Sequence, residues 1–502
     1  MSLCNIIYHF TSKLSRDILT MLTVVLIVIW CLVLALWSWM KPRRLSPPMY
    51  PGALPLIGHA HMMIGDSQRE YFKFLFKSLC CLSVCKATLV ITDPDDSLII
   101  ANTCLEKAYL YKFMKAIYNR GLVSADVSTW KPHRRLLNPA FNQKVLHAFV
   151  EEYSNQAKSL VSQLASEVGK GPFDVQPYLI KNVLSTVCRT SLGLNIDEQN
   201  VTVNNYAHAT EALFLIGLDR FQRIWLHLSY IFNKTSYKKK QDQLIKVIID
   251  ITKAVIVNRK SELKEKKSLD IISDTTSDKF KPLIDQMLEL ADEQDAFTDD
   301  EIREHLDTIV AAAYDTTATC MTFTLLLIGS HQDVQERIYK ELQEVLDNQN
   351  RDLNRYDLPK LEYMEAVIKE SLRVLPPVPR VARSSNSDVK LKHYTLPSGC
   401  TCVISIYALN RHPMWGADAE QFRPERWLDP ATLPQNPSMF ASFSLGRRNC
   451  IGRLYAMMAI KTTLAYIMRR YRITSDISKL QTQCDLLLKP VAGHHIGLEL
   501  RT

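Results

Sequence analysis

The sequence predicts a mostly α-helical domain with a smaller β region, carried on one N-terminal transmembrane helix. Three observations point there. Residues 18–40 are 23 consecutive residues without a charge. The run from Thr298 to Ser330 has no Pro, and no Gly before Gly329. A further mostly apolar, Pro-free run extends from Ile451 to Arg469. Such runs read as helices. The apolar stretches around Cys80-Cys81-x-x-x-Cys85 and Cys400-x-Cys402 are strand-like, with the cysteines as packing residues.

Taken in order, residues 1–17 form a short N-terminal segment and residues 18–40 the anchor. At about 1.5 Å per residue a helix of that length covers roughly 34 Å, enough for a bilayer core near 30 Å. Trp37 and Trp39 suit the interface. Lys41, Arg43 and Arg44 follow, against Lys13 and Arg16 before, so the main body is expected on the cytoplasmic side. A cleaved signal peptide would have a shorter apolar core and a small-residue cleavage site. Residues 41–58 are basic and carry Pro42, Pro47, Pro48, Pro51 and Pro55, a stiff hinge. Residues 59–502 remain for one integrated domain, because no repeat or flexible linker divides them. The net charge of +9 is concentrated in Lys234–Lys267, with eleven Lys/Arg against four Asp/Glu. That segment reads as a solvated helix face, with attraction to a membrane surface or an acidic partner as the sharper reading; it is not a nucleic-acid signature. A cytoplasmic body would keep the twelve cysteines reduced and leave the sequons at Asn200 and Asn233 unused.

Four motifs carry chemistry. In Trp130-Lys131-Pro132-His133-Arg134 an indole N–H and a guanidinium stand four residues apart on one helix face. They can donate to a shared anion or simply stack. Thr298-Asp299-Asp300-Glu301 is a capping box opening a long helix. Along that helix Ile309, Ala312, Ala313, Thr316 and Cys320 share an unusually small face, which leaves room for a cofactor or substrate. Asp315, Thr316 and Thr317 interrupt its apolar centre; Thr316 can bond back to a helix carbonyl and Asp315 to a neighbouring cation. Glu370-Ser371-Leu372-Arg373 places opposite charges three residues apart on a helix that stops before Pro376-Pro377. Finally, Phe443-Ser444-Leu445-Gly446-Arg447-Arg448-Asn449-Cys450-Ile451-Gly452 sets a cysteine at a helix start. There the helix dipole favours a thiolate. Gly446 permits a tight turn and Gly452 a close approach of a flat group to the backbone. Arg448 is a permanent cation suited to that group's carboxylate. Thiolate, cation and glycines together ask for a large planar metal complex bearing acid groups, and haem fits.

The Cys450 decapeptide resembles the haem-binding signature of the cytochrome P-450 superfamily of haem-thiolate monooxygenases. The other motifs agree in order and spacing, and the resemblance spans roughly residues 45–500. Trp130 through Phe141, with Gly121-Leu122-Val123 and Glu370 through Pro379, is closest to the fourth-family group and its insect relatives. The resemblance implies the cytochrome P-450 fold, Cys450 as axial thiolate to the iron of haem b, and Trp130, Arg134, Arg383 and Arg448 on the propionates. Arg380 is a rival to Arg383. It implies that Asp315 and Thr316 handle protons, and that Glu370, Arg373 and Arg426 form a buried network serving folding. Ala313 departs from the family's usual Gly. Many members of the fourth-family group carry a Glu that esterifies the haem; its place falls on Ala312, so the haem is expected to be non-covalent. The chain has no nicotinamide or flavin fingerprint. Electrons are therefore expected from NADPH through a reductase, with cytochrome b5 as a further donor. The expected setting is the endoplasmic reticulum membrane, single-pass, with membrane lipid and a lipophilic small molecule as partners: a fatty acid, hormone or xenobiotic. The rival readings are a haem-thiolate isomerase or dehydratase, and a non-catalytic haem-binding membrane protein.

Overall fold

The computed structural model describes residues 21–34, 80–83, 86–194, 196–268, 280–347, 349–484 and 486–501. Within the expected anchor, Met21–Leu34 (α1) is an exposed apolar helix, too short by itself to establish a span. The 1–17 segment and the 41–58 hinge lie outside the described residues.

The helical body is built around Asp299–Ser330. In chain order the elements used below are β1 (Cys80–Ser83), β2 (Lys86–Ile91), α2 (Pro94–Thr103), β3 (Glu106–Lys107), α3 (Val127–Leu137), α4 (Val150–Leu164) and α5 (Gln176–Val187). Then come α6 (Ile196–Gln222), α7 (Ser236–Ser268), α8 (Asp299–Ser330), α9 (Glu362–Val374), β4 (Arg380–Ser384), β5 (Thr401–Ser405) and α10 (Arg453–Arg470). The expected capping box is formed: Thr298 Oγ1 accepts from the Glu301 amide, and Glu301 accepts from the Thr298 amide. Three acids in the first turn of α8 complement its dipole. Among the described residues α8 is the one helix long and apolar enough to cross a membrane, and most of it is buried in the core. It packs on α5 and α7, while α10 packs on α4. The basic α7 is a solvated face, with pairs such as Lys238–Asp242.

The β region is a sheet of order β1-β2-β5-β4-β3. Its β2–β5 pair is parallel and the others antiparallel. Cys400 and Cys402 are buried there, as the strand-like reading required.

The Glu370–Arg373–Arg426 network is formed, and each member is 0% exposed. Arg373 Nε and Nη2 donate to Glu370 Oε2 and Oε1 at 2.8 and 2.7 Å. Arg426 Nε and the Arg423 amide donate to Oε1 at 2.9 and 3.0 Å. Trp427 Nε1 donates to Oε2 at 2.9 Å. Arg373 spends its other donors on the carbonyls of Asn410, Ala419 and Gln421. Asn410 then accepts from the Ala441 amide and donates to Ser442, so the network reaches the segment leading to Cys450. Removing one partner of a buried, hydrogen-bonded pair costs about 3–5 kcal/mol. Glu370→Gln should therefore lower stability by about that amount, read as a lower urea midpoint of the purified protein. An unchanged midpoint would show that the two arginines do not need the carboxylate.

Candidate active site around Cys450

The loop before Cys450 is held by backbone constraints. Gly446 has φ of +64°, and a Cβ there would lie 2.6 Å from the Ala101 carbonyl oxygen. This glycine turns the chain and seats it on α2. It does not line the cavity, which corrects its expected place among the cofactor-contacting residues. The Cys450 amide donates to the Phe443 carbonyl at 2.9 Å. The helix begins at Arg453 with Gly452 as its N-cap, two residues later than the apolar run suggests. A Cβ on Gly452 would stand 3.9 Å from Cys450 Sγ, so glycine keeps the space beside the sulfur open.

The electrostatics of the free thiol differ from expectation. Burial raises the Cys450 thiol above its ordinary value, against the opposing pull of the Gly452 amide and the Arg134 and Arg453 charges. The exposed surface of this cysteine faces the cavity rather than bulk water. The helix terminus alone does not make the thiolate here, because desolvation outweighs it. Coordination to a metal would, since a coordinating thiol is deprotonated outright.

A cavity of about 350 Å3 is lined in part by Cys450. Trp130, Arg134, Ala312, Ala313, Thr316, Arg383, Arg448, Cys450 and Gly452 all line it. One wall is cationic. Trp130 and Arg134 project together from α3, as their spacing predicts. The Arg448 guanidinium lies 4.4 Å from the Trp130 ring centroid and donates through Nη2 to the Ala125 carbonyl at 2.9 Å. Its Nε and Nη1, and Nε of Arg383, are buried without a hydrogen-bond partner. Burial, then the nearby Arg383 charge, lowers Arg448 to about 10. The strand period decides between the two rival arginines. Val381 and Arg383 point into the cavity, whereas Arg380 contacts Cys484 at 3.1 Å.

Another part of the lining is α8. Ile309, Ala312, Ala313, Thr316 and Cys320 line the cavity together, as the helical spacing predicts. The Thr316 hydroxyl donates to the Ala312 carbonyl at 2.8 Å. Asp315 is buried and turned away from the cavity, and it pairs with Lys489 at 2.9 Å. The bond to a neighbouring cation is thus formed, and the expected part in proton handling has no direct contact with the cavity, because a helix places residues 315 and 316 on different faces. Among the described residues no Asp or Glu lines the cavity. Glu304, the nearest earlier glutamate, is buried among Asn119, Arg120 and Arg303, and Asp307 accepts from Tyr206, Thr252 and Arg303.

Sequence reasoning missed Lys107, which lines the cavity with Tyr111. No motif marks it. Only the register of β3 against β4, Lys107 opposite Arg383, brings the lysine to the site. The residues present fit haem: the Cys450 sulfur faces the cavity, and unpaired buried N–H groups stand ready for carboxylates.

Comparison with known proteins agrees with this geometry. The cytochrome P450 family profile matches residues 42–496. Cytochrome P450 4V2 of Mus musculus is 30% identical over 486 residues, covering 92% of this chain and 91% of that protein. Cytochrome P450 4d2 of Drosophila melanogaster is 30% identical over 497 residues, covering 95% and 99%. Cytochrome P450 4c21 of Blattella germanica is 29% identical, covering 89% and 92%. The crystal structure of the cytochrome P450DA heme domain superposes with a TM-score of 0.76 at 19% identity, covering 92% of this chain and 99% of that one, and so shares the fold. The chain belongs to the cytochrome P450 family, with family-4 proteins of insects and mammals among its relatives, and it is a cytochrome P450 monooxygenase.

Proposed function

We propose that this chain is a membrane-bound monooxygenase in which Cys450 is the axial thiolate of a non-covalent haem b. The observation that carries the reading is the shared cavity, lined by the Cys450 sulfur, by arginines with unpaired N–H groups and by a helix face of small residues. When bound, haem supplies the iron at which dioxygen is activated, and thiolate donation favours O–O cleavage. Arg383 and Arg448 hold carboxylates, and Trp130 stacks on Arg448 to fix its plane. Arg134 donates to the Asn449 carbonyl at 2.8 Å and to Asn449 Oδ1 at 3.0 Å, which steadies the residue before the ligand. The substrate is a lipophilic small molecule, because Leu122, Val123, Ile309, Val378, Val381 and Ile406 line the cavity. Electrons come from NADPH through a separate reductase, with cytochrome b5 as a further donor. The apolar α1 supports attachment to the endoplasmic reticulum membrane, single-pass, with the domain on the cytoplasmic side.

Thr316 is the proton-handling hydroxyl. Turning it toward the cavity gives up one hydrogen bond to Ala312, a net cost of about 0.5–1.5 kcal/mol. Asp315 stands behind it and reaches the cavity only by leaving Lys489.

Cys450→Ala should abolish the thiolate-type spectrum of the reduced carbon monoxide complex. A mutant that retains that spectrum would assign the iron to another cysteine. Thr316→Ala should keep haem but divert more NADPH electrons to peroxide, at least doubling the peroxide formed per product; unchanged coupling would leave Thr316 with its helix hydrogen bond alone. Denaturing chromatography in acid and organic solvent should separate haem absorbance from the polypeptide. Co-elution would show a covalent bond to a side chain other than Ala312.

A further inference from the structure

The β region holds a pair of thiols that the Cys450 site does not use. Cys402 lies on β5, opposite Leu89 of β2 and Arg383 of β4. The strand period puts Cys400, Cys402 and Ile404 on one face. Helix α2 packs on β5, and Ile100, Ala101 and the C-cap residue Cys104 join those three in one buried apolar cluster. Cys104 and Cys402 are 3% and 0% exposed, and both are free thiols. Their side chains meet and share a hydrogen bond.

A thiol buried in apolar surroundings is ordinarily inert. This pair is set apart by its asymmetry. The hydrogen bond from Cys402 lowers the Cys104 thiol to about 7 against the opposing effect of burial, and the Arg383 charge adds to it. The same hydrogen bond, with burial, raises Cys402. One sulfur is therefore the readier thiolate, and its neighbour keeps its proton. Closing an S–S bond of about 2 Å from thiols already in contact asks for side-chain rotation and little backbone movement.

We infer that Cys104 and Cys402 form a peroxide-sensitive dithiol, Cys104 the attacking sulfur and Cys402 the resolving one, whose disulfide ties α2 to β5. The oxidant is hydrogen peroxide, a by-product of the electron flow proposed above. The Cys104 thiolate attacks one peroxide oxygen: an S–O bond forms, the O–O bond breaks, and the departing hydroxide takes a proton to become water. The Cys402 sulfur then attacks the Cys104 sulfenic acid: the S–S bond forms, the S–O bond breaks, and the Cys402 proton leaves with the hydroxyl as a second water. Two thiols lose two electrons, and one peroxide is reduced to two waters. Helix α2 also seats the loop before Cys450, through Ala101 against Gly446. The disulfide thus joins the helix under that loop to the strand paired with Arg383, and it removes a negative charge from beside Arg383.

The test exposes the full-length holoprotein to a few equivalents of hydrogen peroxide, quenches with catalase, alkylates the remaining thiols and maps the peptides without reduction. Added peroxide makes the outcome independent of the proposed electron supply. Peptides bearing Cys104 and Cys402 should be recovered cross-linked, and dithiothreitol should return both thiols. The oxidised protein should have a higher urea midpoint, because the bridge constrains the unfolded chain. Cys402→Ala should leave Cys104 as a sulfenic acid that dimedone labels, whereas Cys104→Ala should leave Cys402 unlabelled. Recovery of both cysteines as free thiols in the parent protein would overturn the inference, as would a bridge from either of them to another cysteine. If an alanine variant does not accumulate, dimedone present during oxidation of the parent protein decides the order of attack. Label on Cys104 supports the assignment, and label on Cys402 overturns it.

Discussion

One carboxylate without access to water organises the underside of this protein. Glu370 accepts five hydrogen bonds, from Arg373, Arg426, the Arg423 amide and Trp427. A buried anion is tolerable only when its lone pairs are filled and its charge is matched, so these partners cannot move independently. Arg373 extends the constraint to the carbonyls of Asn410, Ala419 and Gln421, and Asn410 extends it to Ala441 and Ser442. The loop bearing Cys450 begins one residue later. The place of the sulfur is thus fixed from below by electrostatics, and from the side by Gly446 pressed onto Ala101.

Around the cavity the balance is reversed. The cavity wall carries Lys107, Arg383 and Arg448, and among the described residues no acid faces them. The unpaired N–H groups of Arg383 and Arg448 are costly to bury and favour a group with carboxylates, which links folding to retention of such a group. Among the described residues Ala312 itself offers the cavity a methyl group and no carboxyl.

Helix α8 combines two demands. Its outward faces pack in the core, so it is almost wholly buried; its inward face is kept small by Ala312 and Ala313. Polar residues in such a helix must find partners. Thr316 finds the Ala312 carbonyl and Asp315 finds Lys489. Those pairings are the ones that an apolar surrounding requires, and any part in proton movement is a departure from them.

Local information determined much of this. The capping box, the spacing of Ile309 to Cys320, the Trp130–Arg134 face and the glycine turn before Cys450 act within one helix turn or one loop. Sequence therefore specified them, along with the family. The Glu370–Arg426 pair was legible only through the resemblance, because its partners are fifty-six residues apart. Tertiary structure alone decided the rest. Strand pairing between distant segments set Lys107 against Arg383 and turned Arg380 aside. Helix rotation against the strand Leu488–Ala492 took Asp315 out of the cavity. Burial raised the Cys450 thiol where the helix dipole alone argued the reverse. Register, rotation and desolvation are properties of packed elements, and no window of sequence contains them.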